Sequence, residues 1–192
     1  MESHYTGENP WADDLCVMSK VHGKGARDKG SRAERKVRDL LRSIYPPELR
    51  KRVYRIPLSG AGAIKGDVAD LNDMDTCYEV KNQENLQLHE WWRQAKSQAG
   101  SSRTPVLVVT SNHRPYYFVL RESDWLPLLE DTMYEDFTYQ SPVKPGVSFF
   151  DRLAGLAGRT VGSVTLDGDA CVVVSTSFYL EVKSCQFERR VL

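Results

Sequence analysis

The sequence predicts an α/β fold, a mixed β-sheet flanked by helices with a β-rich C-terminal extension. Three observations predict it. Apolar residues at helical spacing precede a run of short strand-like segments, Pro105–Thr110 is an almost unbroken apolar stretch of the kind buried on both sheet faces, and helical and extended patterns alternate along the chain. With 192 residues, 41% hydrophobic and 27% charged, the chain holds enough apolar side chains for one full core.

Residues 1–22 mix Gly, Asn, Pro and acids without periodicity and are expected to form a flexible arm, with Trp11 and Leu15 as anchors. Ser31–Tyr45 has helical period: Ala33, Val37, Leu40, Leu41 and Ile44 share one face, Arg32, Arg35, Lys36, Arg38 and Arg42 the other, and Pro46-Pro47 ends it. A strand near Arg52–Leu58 leads into the loop Ser59-Gly60-Ala61-Gly62. A hairpin follows, with strands near Asp67–Leu71 and Thr76–Lys81 around Asn72-Asp73-Met74.

A second helix is expected over Glu90–Ala99. Trp91 and Trp92 adjoin on it, so one is expected in the core and the other free to stack on a base or a partner. The Pro105–Thr110 strand pairs with Tyr116–Leu120, and Ser123 reads as the N-cap of a short helix over Asp124–Leu129. These elements make residues 23–130 the core domain. Residues 131–192 read as an accessory unit or dimerisation element: a short helix near Phe149–Leu156, strands Thr160–Leu166 and Cys171–Lys183, and an Asp167-Gly168 turn between them.

No apolar run approaches the roughly 18 residues of a membrane helix, and acids stand at the start where a secretory leader is basic, so a cytoplasmic protein without membrane contact is expected. The four cysteines are widely spaced and form no zinc pattern; they read as reduced thiols, two of them buried in strands. The formal net charge is zero, but Lys20–Arg55 carries a net +9 and Glu122–Asp151 a net −6. That asymmetry points to a basic surface facing phosphates, although a solvated helix face explains it as well.

Glu79 and Lys81 alternate with Tyr78 and Val80 on the hairpin's second strand, so they share one face roughly 7 Å apart. Asp67 joins that face only if the hairpin register is even. A three-residue loop pairs Leu71 with Asp75 and puts Asp67 opposite Glu79, whereas a two-residue loop would put it opposite Val80. Two converging carboxylates call for a divalent cation between them, and an all-oxygen site suits Mg²⁺, with Mn²⁺ as an alternative. A cation open to water, beside a lysine, supplies the ingredients of phosphodiester hydrolysis.

Taken together, Lys29-Gly-Ser-Arg-Ala-Glu34-Arg, Arg55-Ile-Pro-Leu-Ser59-Gly60, Gly66-Asp67 and Glu79-Val-Lys81 resemble the PD-(D/E)xK nucleases of the restriction-endonuclease-like fold. Among them the archaeal-type Holliday junction resolvases are the nearest in pattern, over about Lys24–Asp124. The resemblance implies catalytic roles for Glu34, Asp67, Glu79 and Lys81, with Asp67, Glu79 and Glu34 on the metal. It places Arg55 and Ser59 beside the catalytic loop. Gly66 stands where the motif's name has proline. Glu34 also has a structural reading, as the far end of a Ser31-x-x-Glu34 capping box.

DNA contacts are expected from Lys29, Arg32, Arg35, Arg38, Arg55, Ser59, Gln94 and Lys96, although a solvated polar face accounts equally for Gln94 and Lys96. The implied activity is Mg²⁺-dependent cleavage of DNA, with branched junctions favoured and a homodimer making two symmetric cuts. The competing readings are a restriction-type or repair nuclease, and a non-catalytic DNA-binding module. A second Glu181-Val-Lys183 near the end, with Asp167 and Asp169 fourteen and twelve residues before it, nearly repeats the spacing of the first set, but Asp167-Gly168 fits a turn and no following helix or central strand remains to complete a fold.

Overall fold

The computed structural model describes residues 12–57, 65–132, 138–140, 149–154, 156 and 158–191. Helix α1, Ala12–Arg42, opens it. It begins well before the predicted Ser31, inside the segment expected to be a flexible arm, because no proline interrupts residues 12–45 and scattered glycines only weaken a helix by about 1 kcal/mol each. Ala33, Val37 and Leu41, at i, i+4 and i+8, are buried against the sheet. The short helix α2, Pro47–Arg50, has proline at its first position, where no amide hydrogen is required.

Strands β1 (Val53–Arg55), β2 (Val68–Asp70) and β3 (Thr76–Asn82) pair antiparallel in sequence order. Helix α3, Leu88–Ala99, then crosses over to β4, Thr104–Thr110, which lies parallel to β3. A parallel neighbour requires such a crossover, whereas β5, Tyr117–Arg121, returns by a tight connection and is antiparallel. Helix α4, Glu122–Thr132, follows β5 directly, so Ser123 lies within it and is not its N-cap.

The C-terminal strands join the same sheet as the first five. After β6 (Thr138–Gln140) and α5 (Phe149–Leu153), β7 (Thr160–Leu166) and β8 (Asp169–Ser175) form the expected hairpin, and β8 pairs antiparallel with β5 from Tyr117↔Ser175 to Arg121↔Cys171. The result is one sheet of order β1-β2-β3-β4-β5-β8-β7-β6. Val172, Val173 and Val174 are fully buried, which a central strand covered on both faces requires.

The predicted Cys171–Lys183 strand stops at Ser175, and Thr176–Val191 is helix α6. Ser175 Oγ accepts the Phe178 amide at 3.4 Å, an N-cap geometry, and Phe178, Tyr179, Val182 and Gln186 are buried at helical spacing. Tyr179 stacks on Phe118 at 4.1 Å and shares a 3.1 Å hydrogen bond with Tyr78, fastening α6 to the centre of the sheet.

Two cores result. Helices α1, α4 and α6 cover one face, meeting Val68, Tyr78, Val80, Val106 and Val108. Helices α3 and α5 cover the other, meeting Leu107, Val109, Tyr117 and Val119. Both Trp91 and Trp92 are buried, contrary to the expectation of one free ring. The β7–β8 hairpin covers the second side of α3: the Trp92 indole donates to Asp169 at 2.8 Å and Lys96 pairs with Asp167 and Asp169. Cys77 and Cys171 are buried in strands as free thiols.

Candidate active site

Residues 71–75 connect β2 to β3, longer than the expected three-residue loop, and Val68 stands opposite Tyr78. Asp67, in the bend just before β2, lies near enough to Glu79 for its charge to act on that carboxyl. Asp67 is held there from both ends: its amide donates to the Tyr78 carbonyl at 2.8 Å, and its Oδ2 accepts the Val80 amide at 2.8 Å. Asp70 belongs to the other face, where it accepts the Tyr45 hydroxyl at 2.7 Å and the Asn72 amide at 2.9 Å.

Gly66 explains the missing proline. Its φ is +111°, and a Cβ there would come within 3.0 Å of the Tyr78 carbonyl oxygen. A proline ring fixes φ near −65° and cannot adopt this backbone, so glycine delivers Asp67 in a way proline cannot.

Glu79 is 1% exposed. Its Oε1 lies 2.7 Å from Lys81 Nζ. Burial, and then the charge of Asp67, push its carboxyl up to about 7 against the pull of Lys81 and of a Gln98 hydrogen bond. Lys81 Nζ donates in turn to Gln94 Oε1 at 3.0 Å, so Gln94 reaches inward to the lysine. Gln98, one turn further along α3, has a buried side-chain oxygen without a partner.

A buried carboxylate is costly unless something positive completes it. Asp67, just before β2, and Glu79 on β3, with the charge of one acting on the other, fit a hard divalent cation. Among the described residues no three His, Cys, Asp or Glu gather into a metal cluster, so the pair stands without a third acid.

Residues 25–184 match a protein-family model described as "Phage putative PDDEXK endonuclease". The chain belongs to this family. No curated protein and no solved structure matches it. Membership agrees with the observed mixed sheet flanked by helices, the restriction-endonuclease-like arrangement, and the family's nucleases act on DNA and generally use divalent metals. The match extends through β7, β8 and most of α6, so the C-terminal strands belong to the family's fold.

Other candidate residues of this PD-(D/E)xK chain fall in different places. Glu34 is paired with Arg55 Nε, and the Arg55 guanidinium also donates to Ser31 Oγ at 3.1 Å. Ser31 lies within α1, so it does not cap a helix start and the capping-box reading fails. Arg55 stands opposite Val68, next to Asp67, which places the Glu34–Arg55 pair beside the hairpin but on its α1 side. Arg32 and Arg35 are exposed on α1. Lys29 pairs with Glu84 at 2.9 Å, Arg38 with Asp39 at 2.8 Å, and Lys96 with Asp167 and Asp169 at 2.9 and 2.8 Å. Ser59 lies outside the described residues. His89 accepts the Asp167 amide through Nδ1 at 3.1 Å, away from the acid pair.

The second E-x-K set is dispersed by its secondary structure. Glu181 and Lys183 lie on a helix, where neighbours two apart do not share a face. Glu181 is exposed beside Arg159, and Lys183 is buried against Asp73. The Gln94–Lys81 contact was not foreseen; its signal is a glutamine one helical turn from Gln98 on the element that follows the E-x-K strand.

Proposed function

We propose that this chain is a Mg²⁺-dependent endonuclease that hydrolyses DNA phosphodiester bonds, with Asp67 and Glu79 holding the cation and Lys81 acting on the phosphate. The observation that carries the reading is the buried Glu79 carboxyl, on which the Asp67 charge acts and whose Oε1 lies 2.7 Å from Lys81 Nζ. A cation bound there supplies Lewis acidity toward the scissile phosphate and an acidified water.

The chain's own residues do the rest. The Val80 amide aims Asp67, which leaves the aspartate no rotational search when the cation arrives. Gln94 holds Lys81 at the edge of the pair, so its ammonium meets charge building on phosphorus without reorganising. Glu34, ion-paired with Arg55 on the α1 side of the hairpin, is the acid that would assist the site from that helix. Arg32 and Arg35 on the exposed face of α1 contact the DNA backbone.

Branched DNA is the favoured substrate, on the resemblance of the Lys24–Asp124 segment to junction resolvases, and two symmetric cuts in such a substrate call for a homodimer. Labelled junction, flap, duplex and single-stranded DNAs, each incubated with the protein in Mg²⁺ or EDTA with every cut mapped, test the proposal. Cation-dependent cuts flanking a branch point support it in full. Cleavage of duplex alone would leave the nuclease and remove the junction, and binding without cleavage in any cation would leave only a DNA-binding module.

A further inference from the structure

The turn that joins β2 to β3 is held from a distant part of the chain. An acid at the tip of a hairpin ordinarily faces water, yet Asp73 is 4% exposed. Its Oδ2 accepts Lys183 Nζ from α6 at 2.6 Å and Thr76 Oγ1 at 2.7 Å, and Arg190 lies 3.5 Å from Oδ1. Lys183 is as buried as its partner and donates also to Gln186 Oε1 at 2.8 Å. Burial would push the Asp73 carboxyl up, but Lys183, Thr76 and Arg190 hold it below the usual carboxylate range. On the other side of the turn, Asp70 accepts the Asn72 amide and the Tyr45 hydroxyl.

A buried ion pair is weak evidence for stability, since its desolvation offsets most of the attraction and an apolar pair is often as stable. What such a pair does well is select one arrangement among near-equivalents. Here the alternatives are hairpin registers, and a shift of one residue would turn Asp67 away from the face that carries Glu79. The α6 anchor is firm, because Tyr179 is fixed between Phe118 and Tyr78, so Lys183 reaches the turn from a rigid base.

We propose that the Lys183–Asp73 pair is a register clamp, making Lys183 a positioning residue that holds Val68 opposite Tyr78, and with it Asp67 beside Glu79, from roughly 10 Å away along the strand. The C-terminal helix is thereby part of the nuclease apparatus without touching substrate. Its consequence for cation binding rests on the nuclease reading; the clamp itself does not.

The test is amide hydrogen exchange on the full chain, read at Asp67 and Val80, whose amides bond Tyr78 and the Asp67 side chain only in this register. Three variants are compared with the parent: Lys183→Met, Lys183→Arg, and Lys183→Met combined with Asp73→Asn. The paired variant buries no charge and keeps the fold even if Lys183→Met alone does not. The clamp predicts that the paired variant loses protection at Asp67 and Val80 by about tenfold or more while Leu107 and Val119 keep theirs, that Mg²⁺ affinity falls with it, and that Lys183→Arg preserves both. Parental protection at Asp67 and Val80 in the paired variant would overturn it, as would a uniform loss across the sheet, which marks a stability effect alone. A parent that binds no Mg²⁺ defeats the nuclease reading, while the exchange result still decides the clamp.

Discussion

Glu79→Gln should make the cation-free protein more stable, not less. In the unfolded chain this carboxyl titrates near 4.5; in the fold it is raised to about 7 by burial and by Asp67. Between those values the folded state holds the extra proton, so stability falls as pH rises from 4.5 to 7 and levels off above. The deficit at pH 8 is on the order of 3 kcal/mol, an upper figure because Lys81 shares the charge. Glutamine is neutral at every pH and removes the deficit, so in EDTA at pH 8 the variant should exceed the parent by about 1–3 kcal/mol, a rise in Tm of up to roughly 10 °C. At pH 4.5 the difference should vanish. Saturating Mg²⁺ should close most or all of that gap, since a cation at 100 times its Kd stabilises the parent by about 2.7 kcal/mol and has no charged Glu79 to bind in the variant. Chemical denaturation at pH 4.5 and 8, with Mg²⁺ and with EDTA, measures all four quantities. A variant less stable than the parent in EDTA at pH 8, or one stabilised by Mg²⁺ to the same extent, would refute the reasoning.

Lys81→Met should lower cleavage by about 10²–10³-fold while the Mg²⁺-linked rise in Tm persists; loss of that rise would show that the lysine builds the site and does not act on phosphate. Arg32→Ala with Arg35→Ala should flatten the plot of log affinity against log salt by about two, and an unchanged slope would remove α1 from the DNA surface. Glu181→Gln, at an exposed pair with Arg159, should change stability by less than about 0.5 kcal/mol and leave cleavage at the parental rate. Lost cleavage there would reinstate the second E-x-K set.

Much of the site geometry was legible because it depends on local rules. Alternation along a strand puts Glu79 beside Lys81, and Val68 pairs with Tyr78 in the expected register although the connection over residues 71–75 is longer than three residues. What escaped depends on distant partners. Trp91 and Trp92 are both buried because a hairpin nearly 80 residues later packs on α3. Gln94 turns toward Lys81 because the β3–α3–β4 crossover lays the helix over that face. The strand over Cys171–Lys183 was read too long, since the valine run masked the Ser175 cap. The early start of α1 leaves little signal, since residues 1–22 mix Gly, Asn, Pro and acids without apolar periodicity.

The most direct test of the central claim is anomalous scattering from a crystal soaked in Mn²⁺, collected on the manganese edge. The account predicts a peak in contact with carboxylate oxygens of both Asp67 and Glu79, at about 2.1–2.3 Å, absent from the same crystal form of Glu79→Gln. No peak at this pair, or one confined to other acids such as Asp75 and Asp124, would contradict it.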